Sequence, residues 1–341
     1  MRPVNTRSGA LTVGAAWEAL VAADQPTLFK DAAAEWPLVQ AGLADPAAAV
    51  AMLKQGHAGQ PVVVFRGDPA IKGRFFYNEA VDGFNFTGTR EPLAPVLDEL
   101  LAARDDPEAP ALYIGSTDIP TVFPSLDSAS RLELAAIHPM LAANPGLSTI
   151  WIGNRTTASC HYDATPNIAV CVAGRRRFTL FPPDQVANLY PGPLEPTPGG
   201  QVVSMVDVAA PDLERFPRFA EALAVAQIAE MEPGDILVYP ALWWHHVEAL
   251  AGFNILINYW WNRSPGYIDT PQSTLLHAML SLRDRPNSEK AAWRALFDYY
   301  VFGDAERIRA HLPEHAHGPL APIDDTIARR LRATILRKLQ R

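Results

Sequence analysis

The chain has 341 residues, of which 48% are hydrophobic and 19% are charged. This is the composition of a globular protein that buries a sizeable core in one large domain or two modest ones. Its formal net charge of −8 argues against a nucleic-acid-binding protein, because binding to phosphate backbones rests on a basic face. No apolar run approaches the roughly 18 to 20 residues of a membrane-spanning helix, so no membrane span is predicted.

The N-terminal residues carry no export signal that the sequence reveals. Residues 1–14 are polar and interrupted by Pro3, without the apolar stretch of a signal peptide. The two cysteines, Cys160 and Cys171, suit a reducing compartment, where buried free thiols are the usual state. We therefore predict a cytoplasmic protein.

The first region, residues 1–110, has mixed patterning. Apolar residues recur at helical spacing in 15–23, 46–53 and 92–103, whereas the β-branched run 61–65 predicts a strand. We interpret this region as a mixed α/β segment that packs on the core.

The second region, residues 111–265, is rich in short strands. Its β-branched or alternating runs are separated by turn signals such as Gly174 and the Pro-Gly-Asp sequence at 233–235. The predicted strands are 148–153, 167–172, 177–181, 202–208, 227–229, 236–239, 246–250 and 255–261. Short strands with regular turns are typical of a sandwich or barrel. We therefore predict a mainly β core with flanking helices.

The third region, residues 266–341, returns to helical patterning. In its last helix Asp324 is placed to cap the N-terminus, and Ile327, Leu331 and Ile335 form one apolar stripe at four-residue spacing. Such a stripe either packs on its own domain or forms the seam of a homodimer. The sequence leaves both arrangements open.

A candidate metal site begins at His161-Tyr162-Asp163. In an extended chain, residues two apart point to the same side, so His161 and Asp163 offer an imidazole nitrogen and a carboxylate oxygen to one point. Imidazole and carboxylate ligands suit Fe(II), and a second histidine from a distant strand would complete a facial triad with open positions. The short motif is weak by itself, since two unrelated surface side chains often show the same spacing.

The second histidine lies in the segment 232–248, which contains a Pro-Gly-Asp turn, an apolar run and the sequence Trp-Trp-His-His at 243–246. A turn, a strand, a Pro-containing corner and a further strand are typical of the cupin, or double-stranded β-helix, fold. Neighbouring residues of a strand point to opposite faces, so only one histidine can be a ligand. His245 is our choice and His246 the alternative.

The middle third of the chain resembles the JmjC-type 2-oxoglutarate oxygenases of the cupin-like group. The similarity rests on a series of short motifs in the same order. These are His-Tyr-Asp at 161–163, Asn167, the Gly-x-basic turn at 174–176, Leu-Phe-Pro-Pro-Asp-Gln at 180–185, Leu-Tyr-Pro at 189–191, Glu-Arg-Phe-Pro at 214–217, Pro-Gly-Asp at 233–235, Trp-Trp-His-His at 243–246 and Asn-Tyr-Trp at 258–260. The resemblance implies a jelly-roll core at 111–265 and a helical C-terminal region that serves in dimerisation.

This resemblance also implies roles for individual residues. His161, Asp163 and His245 match the iron ligands, which supports His245 over His246. The 2-oxoglutarate site of the family uses a lysine where this chain has Arg176, and a guanidinium still binds a carboxylate through two hydrogen bonds. The resemblance places the co-substrate beside further polar side chains. These are Asn167, Asn258, Tyr113 and, in place of a family threonine that is Ala158 here, Thr157 or alternatively Ser159.

The activity implied is that of an Fe(II)- and 2-oxoglutarate-dependent dioxygenase that uses O₂ to hydroxylate a C–H bond, with a protein or peptide side chain as the expected substrate. A small molecule is the second substrate class, and the acidic charge argues against RNA. Two other functions stay open, a non-oxygenase metal cupin such as an isomerase or decarboxylase, and an inactive JmjC-like binding module.

Overall fold

The structure is a computed structural model that describes residues 1–9, 24–130, 132, 146–261 and 264–340, without the side chains of 127–129. The helix predicted at 15–23 lies outside the described residues. The chain forms two compact units, Met1–Asn262 and Arg263–Arg341. The boundary that we placed at residue 110 falls inside the first unit and remains a proposal.

The described part of the first unit contains strands and six α-helices. The strands are β1 (Arg2–Pro3), β2 (Asn5–Ser8), β3 (Thr27–Lys30), β4 (Val62–Gly67), β5 (Arg74–Phe75), β6 (Phe86–Glu91), β7 (Ala111–Asp118), β8 (Leu147–Gly153), β9 (Thr157–Tyr162), β10 (Asn167–Ala173), β11 (Arg176–Phe181), β12 (Gln227–Met231), β13 (Ile236–Tyr239), β14 (Trp244–Ala249) and β15 (Asn254–Trp260). The helices are α1 (Pro37–Ala44), α2 (Pro46–Gly56), α3 (Leu93–Ala102), α4 (Ile119–Val122), α5 (Pro124–Ala129) and α6 (Phe219–Val225).

Two sheets make up the first unit. One has six strands in the order β1-β12-β11-β14-β9-β5, and the other has nine in the order β2-β3-β13-β10-β15-β8-β7-β4-β6. Four antiparallel strands of each sheet, β12-β11-β14-β9 and β13-β10-β15-β8, are the two halves of a jelly roll, and strands from the first 118 residues extend both sheets. The predicted double-stranded β-helix with flanking helices is thus confirmed.

Side-chain alternation divides the apolar residues between two cores. On β10, Ile168 and Val170 belong to the core between the nine-stranded sheet and the helices that cover it. Ala169 and Cys171, on the other face of β10, line the interior of the jelly roll with residues of β11 and β13. This strand is buried on both faces, which explains its nearly continuous apolar sequence. The small side chains on the inner face leave room in the interior.

One predicted strand was wrong. The apolar run 202–208 forms no strand, and only Val203 and Ser204 make isolated bridges, to His161 and Pro191. Ser204 explains part of this, because its hydroxyl donates to the carbonyl of Leu189 and accepts from the amide of Val206. These local hydrogen bonds replace a regular ladder.

Both cysteines of the first unit are buried and free, as predicted. Burial raises the pKa of the Cys160 thiol far above its usual range and that of Cys171 to about 12, so neither thiol is a nucleophile near neutral pH. None of the helices in the described part of the chain combines the length and apolar character that a membrane crossing requires.

The second unit is helical, with α7 (Pro271–Leu282), α8 (Asn287–Tyr300), α9 (Ala305–Arg309) and α10 (Asp325–Leu339). Asp324 caps α10 as predicted, since its carboxylate accepts a hydrogen bond from the amide of Ile327 at 2.8 Å. The helices bury little of their apolar surface: α7 and α8 have no buried residue, and α10 has only Ala328.

Candidate functional site

Two adjacent antiparallel strands bring the candidate metal ligands together. In the register of β9 and β14, His161 lies directly opposite His245, and Asp163 follows the end of β9. One potential ligand atom from each of these three residues lies within 4.8 Å of the other two. His245 is 3% exposed and the Asp163 carboxylate 17%. The group is therefore open on the Asp163 side and closed on the His245 side.

Hydrogen bonds fix the tautomer of both imidazoles. The Nδ1 atom of His161 lies 2.8 Å from the carbonyl of Ser159, and Nδ1 of His245 lies 3.0 Å from the carbonyl of Trp243. A carbonyl only accepts, so each Nδ1 carries the proton and donates. Each Nε2 is left with its lone pair, and His245 Nε2 is 3.7 Å from the Asp163 carboxylate. This is the arrangement that metal-binding histidines adopt.

The protonation state of His245 also suits metal binding. Burial, and secondarily the neighbouring His161, lowers the pKa of His245 to about 4. The imidazole is consequently neutral at physiological pH. Two imidazoles and one carboxylate form a donor set that fits Fe(II).

A chain of amides holds the carboxylate ligand. Asn167 Nδ2 donates to Asp163 Oδ2 at 3.2 Å, and Asn258 Nδ2 donates to Asn167 Oδ1 at 2.7 Å. Both asparagines are buried, on the paired strands β10 and β15. The two residues that we assigned to co-substrate binding thus also orient Asp163. The Asn258 Oδ1 atom has no hydrogen-bond partner among the described residues.

Arg176 lies at the start of β11 and is 2% exposed. Its Nε and Nη2 atoms are buried and have no hydrogen-bond partner within the described chain. These two atoms form one edge of the guanidinium, the edge that binds a carboxylate through two parallel hydrogen bonds. Since an unpaired buried charge is costly, this site calls for an anionic ligand.

Tyr113, which the resemblance places at the co-substrate, lies near Arg176. Burial raises the pKa of the Tyr113 phenol, while the charge of Arg176 opposes that effect. The ring stacks between Phe75 and Trp151, with centroid distances of 5.9 and 5.7 Å. The phenol is thereby fixed beside the guanidinium.

The structure does not bring Thr157 into this group. It pairs with Glu248 and Arg74 at the opposite end of β9 from Asp163. The alternative hydroxyl, that of Ser159, donates to the carbonyl of Phe75 at 3.0 Å. The role of Thr157 stays a prediction without a supporting contact.

His246 occupies the other face of β14. It is 1% exposed, and neither ring nitrogen has a hydrogen-bond partner in the described part of the chain. Its electrostatic surroundings include Asp207 and Arg74, and burial lowers its pKa to about 4. The ligand-forming group includes His245 and not His246.

Sequence reasoning missed Tyr239, the last residue of β13. Its ring is 4.9 Å from that of His245 between centroids. The spacing of Leu237 and Tyr239 could have indicated it, because residues two apart on a strand share a face. Both residues belong to the interior cluster. The sequence predicts only a strand at 236–239.

Comparison with known proteins agrees with the fold. The cupin-like domain family matches residues 14–267. Human HSPB1-associated protein 1 is 39% identical over 115 residues, which are 33% of this chain and 23% of that protein. Zebrafish (Danio rerio) tRNA wybutosine-synthesizing protein 5 is 34% identical over 105 residues, which are 31% of this chain and 29% of that protein. The matched segments thus span less than a third of these relatives.

Proposed function

The chain belongs to the cupin-like, JmjC-type domain family, and from this membership we propose that it is an Fe(II)- and 2-oxoglutarate-dependent dioxygenase that hydroxylates a C–H bond. One observation carries the proposal. The same interior holds a two-histidine, one-carboxylate group and a buried Arg176 whose carboxylate-binding edge is unpaired. Isomerases and decarboxylases of cupin fold need the metal group but have no general need of the second feature.

In this mechanism His161, Asp163 and His245 would hold Fe(II). When bound, Fe(II) would supply activation of O₂ with 2-oxoglutarate as co-substrate, one oxygen atom entering the substrate C–H bond and the other the succinate that forms with CO₂. Arg176 binds the far carboxylate of 2-oxoglutarate through Nε and Nη2, and Tyr113 positions the guanidinium. Asn167 and Asn258 orient Asp163 and line the co-substrate pocket. The apolar interior excludes water from the reacting groups.

We propose a protein or peptide side chain as the substrate, with a small molecule as the second class. Among the relatives, one is named for association with HSPB1 and another for synthesis of tRNA wybutosine. The net charge of −8 supports the protein substrate over RNA, because polyanions bind basic surfaces. A cytoplasmic location and a homodimer through the second unit remain predictions of the same proposal.

The test is a titration of metal-free protein with Fe(II) and 2-oxoglutarate without oxygen, followed by admission of air. We expect the visible charge-transfer absorption of an iron-bound keto acid, and then succinate in an amount set by 2-oxoglutarate. A metal cupin of another class would bind Fe(II) without releasing succinate. An inactive module would give neither signal, and either result would refute the proposal.

Adjacent histidines provide a matched pair of variants for this titration. His245→Ala removes a ligand and should weaken Fe(II) binding at least about 100-fold. His246→Ala removes an equally buried imidazole from the opposite face and should leave the Fe(II) affinity within about threefold. Circular dichroism of both variants verifies that they fold. The reverse outcome would assign the ligand to His246.

A further inference from the structure

A tyrosine side chain borders the metal group on the side of the nine-stranded sheet. Tyr239 lies opposite Asn167 in the register of β13 and β10. Its neighbour Val238 faces the outer core, so Tyr239 faces the jelly-roll interior, where it is 2% exposed. The strand therefore directs a phenol to the place where the ligands converge.

Two ring contacts fix the orientation of this phenol. The Tyr239 ring is inclined at 53° to the His245 imidazole with 4.9 Å between centroids, and it meets Phe178 on another side at 6.1 Å. Asp163 acts on it electrostatically, and it is the only ionisable group that does so among the described residues. The Tyr239 ring thus contacts His245, and the charge of Asp163 acts on its phenol.

The hydroxyl of Tyr239 has no hydrogen-bond partner that the described chain supplies. Buried tyrosine hydroxyls normally have one. The Asp163 carboxylate accepts a hydrogen bond from Asn167, and within the described residues no hydrogen bond joins it to Tyr239. A tyrosine phenol is protonated near neutral pH, so the group that lacks a partner is a donor.

The position of Arg176 indicates which end of a ligand would meet this donor. On the shared ladder Arg176 lies opposite Ala249, four residues beyond His245, which is ~13 Å along the strand. A dicarboxylate held by Arg176 at one end therefore presents its other end to the metal ligands and to Tyr239. In 2-oxoglutarate that end is the keto acid, whose carboxylate is a strong acceptor.

We propose that Tyr239 is a positioning residue that donates a hydrogen bond to the keto-acid carboxylate of 2-oxoglutarate. The inference rests on the proposed function. Tyr239 would hold the metal end of the co-substrate while Arg176 holds the far end. The co-substrate is then oriented by two fixed donors on different sheets.

The experiment uses Mn(II)-loaded full-length protein, in which the metal is redox-stable, and measures binding of 2-oxoglutarate and of succinate by calorimetry. Succinate has the far carboxylate but no keto acid. Tyr239→Phe should weaken 2-oxoglutarate binding about tenfold, as for loss of one hydrogen bond to a charged group. Succinate binding, Mn(II) affinity and the melting temperature should be unchanged.

Tyr162→Phe is the control, since Tyr162 packs against Trp244 at 4.8 Å on the outer side of the six-stranded sheet. This substitution should leave the binding of 2-oxoglutarate and of succinate unchanged. Equal weakening of 2-oxoglutarate and succinate by Tyr239→Phe, loss of Mn(II) affinity, or an unchanged 2-oxoglutarate affinity would each overturn the role of Tyr239. If the wild-type protein binds no 2-oxoglutarate, the proposed function itself fails.

Discussion

His245 and His246 are neighbours on β14, and both are almost completely buried, at 3% and 1% exposure. Their chemical environments nevertheless differ, because successive side chains of a strand point to opposite faces. His245 has its Nδ1 proton held by the Trp243 carbonyl and its Nε2 directed to the ligand group. His246 has no such arrangement. At the residue scale, strand alternation rather than burial decides which imidazole joins the candidate ligand group.

Arg176 is the residue whose replacement should affect the co-substrate most. Arg176→Ala removes the bidentate partner of the far carboxylate and should raise the 2-oxoglutarate concentration for half-maximal succinate formation about 100-fold. Arg177→Ala is the matched control, since Arg177 is the next residue on β11, is 39% exposed and pairs with Glu230. An unchanged requirement in Arg176→Ala would contradict the role assigned to it.

The grouping of His161, Asp163 and His245 could be predicted because local spacing places the first two together and the resemblance favours His245 over His246. His161 and Asp163 share a face at a separation of two, and the Trp-Trp-His-His sequence begins a strand. Alternation indicates which face of β13 Tyr239 occupies, but its contact with His245 could not be predicted, since the packing of the two sheets against each other creates it. Thr157 was a substitute for a missing side chain, and spacing alone gave no information on its distance from the site.

At the element scale, the turn between β12 and β13 is held by one buried carboxylate. Asp235 is 1% exposed, pairs with Lys30 of β3, and accepts from the amides of Glu232 and Asp31 at 2.8 and 3.1 Å. Gly234 has a φ of +97°, which disfavours other residues, and a Cβ there would lie 3.1 Å from the Cα atom of Ala34. The Pro-Gly-Asp motif is therefore a structural device that connects β3 to the jelly roll.

Asp235→Ala should lower the free energy of unfolding by about 3 kcal/mol. The variant leaves Lys30 without its partner and two turn amides unsatisfied, which costs less than a fully buried pair because Lys30 is 33% exposed. Urea denaturation measures the change. Asp98→Ala, which breaks a pair with Lys54 at a carboxylate that is 64% exposed, should change stability by less than about 1 kcal/mol. Equal effects would refute this account of the turn.

Most strands of the jelly roll could be predicted from alternation and turns, since their two faces meet different surroundings. The strand predicted at 202–208 was wrong because Val202 and Val206 pack with α6 on the outside of the six-stranded sheet. Packing in that apolar cluster does not require strand hydrogen bonds. Strands β6 and β7 were not recognised. Most residues of β6 are exposed, so its sequence carries no apolar signal.

At the scale of the whole molecule, the second unit leaves much apolar surface exposed. Fourteen large apolar side chains are exposed there: Ile268, Leu275, Leu276, Leu280, Trp293, Leu296, Tyr299, Tyr300, Val301, Phe302, Ile323, Ile335, Leu336 and Leu339. Together they offer an area on the order of 1,000 Å², comparable with the roughly 800 Å² per partner of a stable interface. This supports the proposed homodimer.

Sedimentation equilibrium should therefore give twice the chain mass of 37.2 kDa. Leu280→Arg, at a side chain that is 81% exposed on α7, should shift the protein toward the monomer, because a charge replaces apolar contact area. Leu147→Arg changes a 62% exposed leucine of the first unit and should not. A monomeric wild-type protein would exclude the dimer.

The pairing of β9 with β14 has one more consequence. His245 faces His161, but beyond this pair Ser159 and Cys160 together oppose the single residue His246, so a β-bulge anchors the alignment. A slip of one residue would put His246 toward the interior and separate the ligands. Metal bound as proposed would therefore stabilise one alignment only. Its binding during folding would select the correct pairing of β9 with β14, since misaligned chains would gain none of its binding energy.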